Sequence, residues 1–162
     1  MRRIIFFLFV CLSFNCVSAR ETNDATGVSY EYNIVSGGQG KDGNYLVKVR
    51  AYVPKAKVAE EAVKQCAVHG VLFRGVMDPS GVSAHKPLVK DPDIANTKKD
   101  FFEAFFSKGN YLRYVSVVES SLTCTRVPKK NYEASALLLV DKESLRGYLE
   151  ESGIIQGFST LW

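Results

Sequence analysis

The chain has 162 residues, 21 basic against 17 acidic, a net charge of +4 and 46% hydrophobic residues. That length supports one ordinary domain with its own core, without help from metals. The near-balanced charge leaves no footprint for nucleic acid, and no apolar stretch after Ala19 is long enough to cross a bilayer.

The first residues read as a secretory signal. Arg2 and Arg3 give a basic start, Ile4–Leu12 an apolar run, and Val17-Ser18-Ala19 the small residues a signal peptidase reads. The expected division is a signal peptide over 1–19 and a single domain over 20–162, exported to the periplasm or the outer membrane. Lipidation at Cys16 is the alternative, but Ser13-Phe14-Asn15 ahead of it is a poor match. Without Arg2 and Arg3 the balance is 19 basic against 17 acidic, a net +2. Two cysteines remain, Cys66 and Cys124, and an even count in an oxidising compartment invites one disulfide.

Glu21–Gly27 is a polar leader. Val28–Val35 alternates aromatic and polar residues and predicts a strand, followed by a glycine-rich turn over Ser36–Gly43. Tyr45–Val53 is the partner strand, apolar at its odd positions and wet at Lys48 and Arg50. Pro54 marks a junction into an Ala-rich helix, Lys55–Val68. Ala59, Ala62, Val63, Cys66, Ala67 and Gly70 form its one apolar face, and Glu60 with Lys64 makes an i, i+4 pair. So thin a face lets the helix lie close against a sheet. Val71–Val76 predicts another strand.

Met77–Asn96 shows little periodicity and contains Pro79, Pro87 and Pro92; a segment of that length is a candidate binding surface. Thr97-Lys98-Lys99-Asp100 fits a capping box with Asp for the usual Glu. The helix Lys98–Lys108 follows, with Phe101, Phe102, Phe105 and Phe106 along one side, ending at Gly109. Tyr111–Glu119 and Leu122–Val127 predict strands with a bend at Ser120-Ser121. After the turn Pro128–Asn131, the apolar run Tyr132–Val140 predicts a central strand covered on both faces. Asp141 caps a last helix, Lys142–Ser152, and the tail Ile154–Trp162 is apolar enough for a short strand. The order β-β-α-β-α-β-β-β-α is an α+β fold: a mainly antiparallel sheet with helices packed on one face.

Little in the chain suggests catalysis. Cys66 and His69 are three apart on one helix, the beginning of a nucleophilic pair, yet Cys66 sits on the apolar face. The two histidines, His69 and His85, share no metal-ligand spacing, so neither a metal nor a cofactor is expected. Pro79-Ser80-Gly81 supplies no nucleophile elbow for Ser80, Ser83 or His85. Gly37-Gly38-Gln39-Gly40 lies between strands and not ahead of a helix, so it does not work as a phosphate loop.

The run KVRAYVPKAKVAEEAVKQCAVHGVLFRG, with KPLV, DFFEAFFSKGNYLRYV and LRGYLEESGIIQGF, resembles a family of uncharacterised exported proteins of Bacteroidetes-type bacteria. Its strand–Ala-rich helix–strand part is also similar to the N-terminal domain of flagellar assembly protein T and to envelope domains found near curli-type secretion proteins. That resemblance implies an assembly or scaffold module. The expected function is therefore a non-catalytic accessory protein that binds another envelope protein, with Val82, His85, Leu88, Val89 and Ile94 of the long loop as binding residues. The alternatives are a small exported enzyme using Cys66 and His69, and a small-ligand binder using a pocket under that loop.

Overall fold

A computed structural model describes residues 26–40, 43–80, 83–129 and 131–157. The expected signal segment, residues 1–19, and the last five residues lie outside this range. The strands are β1 (Tyr32–Gln39), β2 (Asn44–Val53), β3 (Val76–Met77), β4 (Ser83–His85), β5 (Val115–Val117), β6 (Thr123–Val127) and β7 (Asn131–Asp141). The helices are α1 (Ala59–His69), α2 (Ile94–Thr97), α3 (Lys99–Ser107) and α4 (Lys142–Glu151). Among the described residues the strands form one open sheet in the order β4-β3-β1-β2-β7-β5, with β6 also on β7. All pairings are antiparallel except β1 with β3. The α+β class, the mainly antiparallel sheet and the β1–β2 hairpin are as the sequence predicts.

The core follows the period-2 pattern of β2. Val47, Val49, Ala51 and Val53 are buried, and β7 answers with Ala134, Ala136, Leu138 and Val140. Helix α1 lies across β2 and β7 on this face, with Ala59, Ala62, Val63, Cys66 and Ala67 all buried. The approach is close enough that a Cβ on Gly70 would lie 2.8 Å from Ile34 Cδ1, so glycine is required where the helix crosses β1. Glu60 and Lys64 pair at 2.6 Å on the wet side. Phe102, Phe105 and Phe106 of α3 are core residues. Phe105 stacks on Tyr114 and on Tyr148 of α4, tying the last helix to the same layer.

Several boundaries differ from the expectation, each for a physical reason. The expected strand Val71–Val76 is mostly helical: Gly70–Arg74 continues α1 as a wider turn, with the Gly75 N–H donating to the Gly70 carbonyl, five residues back, at 2.8 Å. Val71 and Leu72 extend the buried stripe of Ala67 and Val68 one turn further, and a short apolar run does not distinguish that from a strand. Strand β1 runs further than expected and takes in Ser36–Gln39, because a bulge between Ser36 and Gly38, with Gly38 at φ 121°, absorbs the glycines without ending the ladder.

Tyr111 does not open a strand. Asn110–Tyr114 is a 3-10 turn, which puts Tyr111 and Tyr114, three apart, both into the core. The capping box at Thr97 is not formed: Thr97 belongs to α2, its hydroxyl donates to the Asp93 carbonyl at 3.0 Å, and α3 starts at Lys99, with Lys98 in the N-cap position and no side-chain cap. Strand β7 is covered on one face, not two. Ser135, Leu137 and Leu139 on its other side remain partly exposed. Asp141 caps α4 as expected, accepting from the Ser144 N–H at 2.9 Å. The tail shows no strand through Gly157.

At the Ser120-Ser121 bend, β5 and β6 share one edge of β7. Ser121 Oγ bridges the break, accepting from the Leu137 N–H at 3.1 Å, while its one proton faces the Val118 carbonyl at 2.6 Å and the Leu137 carbonyl at 3.0 Å. A side chain here does the work of a strand backbone.

Candidate functional site

The segment from His85 to Asp91 is pinned to the core instead of looping free. The wide turn at the end of α1 leaves carbonyls without helical partners. The Leu88 N–H donates to the Val71 carbonyl at 3.1 Å, and the Val89 N–H to the Leu72 carbonyl at 3.0 Å. Val89 is 5% exposed and plugs the core. Pro87, just ahead of them, limits the backbone further. Downstream, Asp91 Oδ1 accepts from the Asp93 N–H at 2.9 Å and closes the turn into α2.

Helix α4 faces this segment. Its buried side is Leu145 and Leu149, so Lys142 and Arg146, four apart, share another side. Asp141 holds the first turn, and the hydrogen bonds from Ser144 keep its carboxyl below the ordinary carboxylate range. Tyr45, at the start of β2, stands between the two walls. The His85 ring stacks on it at 4.0 Å between centroids and 13° between planes, and Lys142 Nζ lies 5.6 Å over it.

Together these elements enclose a cleft of about 630 Å³. His85, Lys86, Leu88 and Lys90 line one side, Lys142 and Arg146 the other, and Ile94, Ile154 and Ile155 add aliphatic surface. Four cations meet one carboxylate, Asp91. Lys142 is paired with Glu143 at 2.6 Å and Arg146 with Glu150 at 2.7 Å. Among the described residues, no ion pair neutralises Lys86 or Lys90.

Of the five expected binding residues, the fold brings His85, Leu88, Val89 and Ile94 to this cleft. Val89 faces the core, so its role is to hold the wall. Val82 lies outside the described residues. Sequence reasoning missed Tyr45, Lys142, Arg146, Ile154 and Ile155. The i, i+4 pair Lys142/Arg146 was visible as a cationic stripe, but nothing local tied it to a loop some fifty residues earlier.

The other candidates resolve into structure. Cys66 is fully buried, and burial pushes its thiol up to about 12 against the opposing pull of Arg74. It therefore supplies no thiolate to a nucleophilic pair. His69, 1% exposed, lies among Tyr32, Phe73 and Phe106, its Nδ1 hydrogen-bonded to Tyr32 Oη at 2.5 Å. The expected Cys66–Cys124 disulfide is absent: both are free thiols, Cys66 inside and Cys124 exposed on β6. Helix α1 covers β2 and β7, one strand in from β6, so the outer strand carries its cysteine into solvent. Asp78 is spent on a local turn, accepting from the Ser80 N–H and hydroxyl at 2.8 and 2.6 Å. Among the described residues no cluster of His, Cys, Asp and Glu could hold a metal ion, and no helix is long and apolar enough to cross a membrane.

Compared with protein-family models, curated proteins and solved structures, the chain matches none. The site is therefore read from its own geometry.

Proposed function

We propose that this chain is an exported, non-catalytic binding protein of the cell envelope, periplasmic or surface-held, whose recognition site is the cleft between the His85–Asp91 segment and α4. One observation carries the reading: residues far apart in sequence converge on a concave, cationic, partly aliphatic site whose walls are fixed by backbone bonds and a helix cap. Recognition residues held on a rigid frame are the usual arrangement of a binding site. Burial of Cys66 as a protonated thiol weighs against the enzyme alternative. The accessory role of holding an envelope protein and the small-ligand role both draw on these same residues.

The test is an NMR titration of isotope-labelled protein with a detergent-free extract of the source cell's envelope. Amide resonances of residues 85–91 and 142–156 should shift, while those of β6 should not. Shifts confined elsewhere, or none, would remove the cleft as the recognition site.

A further inference from the structure

The chemistry of the cleft narrows what it can hold. Its two kinds of surface do not suit the same simple ligand. Leu88, Ile94 and Ile155 are only partly covered, and apolar surface left wet in a concavity forgoes roughly 25 cal/mol per Å². A bare inorganic anion would satisfy the cations and leave that surface wet. A neutral apolar solute would cover it, but would leave the positive potential of Lys86 and Lys90 at its edge unanswered. The cations are not equivalent either. Lys142 and Arg146 each have a glutamate on their own helix, so the excess positive charge lies on the loop wall, where Lys86 and Lys90 face the single carboxylate of Asp91. The stacked pair Tyr45/His85 adds a flat wall beside them. A volume of about 630 Å³ is in the range that takes one small organic molecule.

We infer that the cleft binds a single-chain amphiphilic anion, an aliphatic body carrying one carboxylate or phosphate, with its head at Lys86 and Lys90 and its body against Leu88, Ile94 and Ile155. This rests on the reading of the cleft as the recognition site. Lys142 and Arg146 bound the opposite side, each paired with its own glutamate, so Lys86 and Lys90 set the sign of the ligand's charge.

Isothermal titration with sodium octanoate, 1-octanol and sodium acetate separates head from body. Octanoate should bind about tenfold or more tightly than either octanol or acetate. The charge-reversed variant K86E/K90E changes two exposed side chains. It should keep the wild-type melting midpoint and lose about tenfold or more of octanoate affinity. R126E, on β6 opposite Tyr132 and far from the cleft, should bind as wild type. Equal binding of octanoate and octanol, or undiminished binding by K86E/K90E, overturns the inference. If octanoate fails to bind while the envelope extract still shifts the cleft resonances, the ligand class is wrong and the recognition site stands. If neither acts on the cleft, both fall.

Discussion

Ala62 shows how tightly single side chains are fixed here. It is fully buried between α1 and the sheet, where close approach leaves no room for three more carbons. Ala62→Leu should lower stability by about 1–3 kcal/mol through overpacking. An unchanged melting midpoint would mean the helix stands further from the sheet than it does. Asp141 gives the residue scale its pH dependence. Hydrogen bonds from Ser144 lower its carboxyl in the folded state. The stabilisation is therefore fully present above the ordinary aspartate range, near pH 4, and is lost as pH falls through the lowered value. Asp141→Asn keeps a capping oxygen without the titration. Thermal melts between pH 6 and pH 2.5 should show a steeper acid loss for wild type than for the variant, and parallel curves would refute the role of the cap.

Among the elements, β7 depends on a hydroxyl. Ser121 Oγ accepts from the Leu137 N–H across the gap between β5 and β6 and donates back to the Val118 carbonyl. Ser121→Ala strands the Leu137 N–H in a partly buried site, which should cost about 1 kcal/mol or somewhat more; Ser121→Thr should restore most of it. Denaturant titrations that fail to separate Ala from Thr would show that water replaces the hydroxyl. The elements also mark what the sequence could and could not convey. Strong periodicity carried β2 and α1, because alternate burial of Val47, Val49 and Ala51 is a local pattern, and the Asp141 cap carried α4. Val71 and Leu72 defeated it, since a two-residue apolar step fits either a strand or one more helical turn. Tyr111 and Tyr114 were misleading because aromatic residues favour strands, yet their i, i+3 spacing suited a 3-10 turn into the core. At the site, the loop was legible through its prolines and stranded aliphatics. The α4 wall was not, because nothing short of the β2–β7 pairing brings Lys142 beside Tyr45.

On the scale of the whole molecule, that pairing is decisive. Strand β2 follows β7 along its full length, Asn44 opposite Asp141 and Val53 opposite Tyr132, so an early and a late part of the chain meet at the centre of the sheet. Folding of such a sheet waits on long-range closure and is slow relative to a helical bundle of similar size. The cleft exists only once this closure has placed α4 against the loop, so recognition and the complete fold arrive together.

The two backbone bonds from Leu88 and Val89 to the end of α1 also tie the recognition wall to the core in time as well as space. If these bonds hold the wall as firmly as the core, the wall and the helix end should open as one cooperative unit. Native-state deuterium uptake should find Leu88 and Val89 as slow as the closing amides of α1, while Lys86 and Lys90, two residues away or less, exchange quickly. Uptake at Leu88 matching that at Lys90 would mean a wall that detaches by itself. A ligand seated in the cleft should slow both protected amides and the helix end in step, giving a readout of occupancy that reaches a helix end outside the cleft.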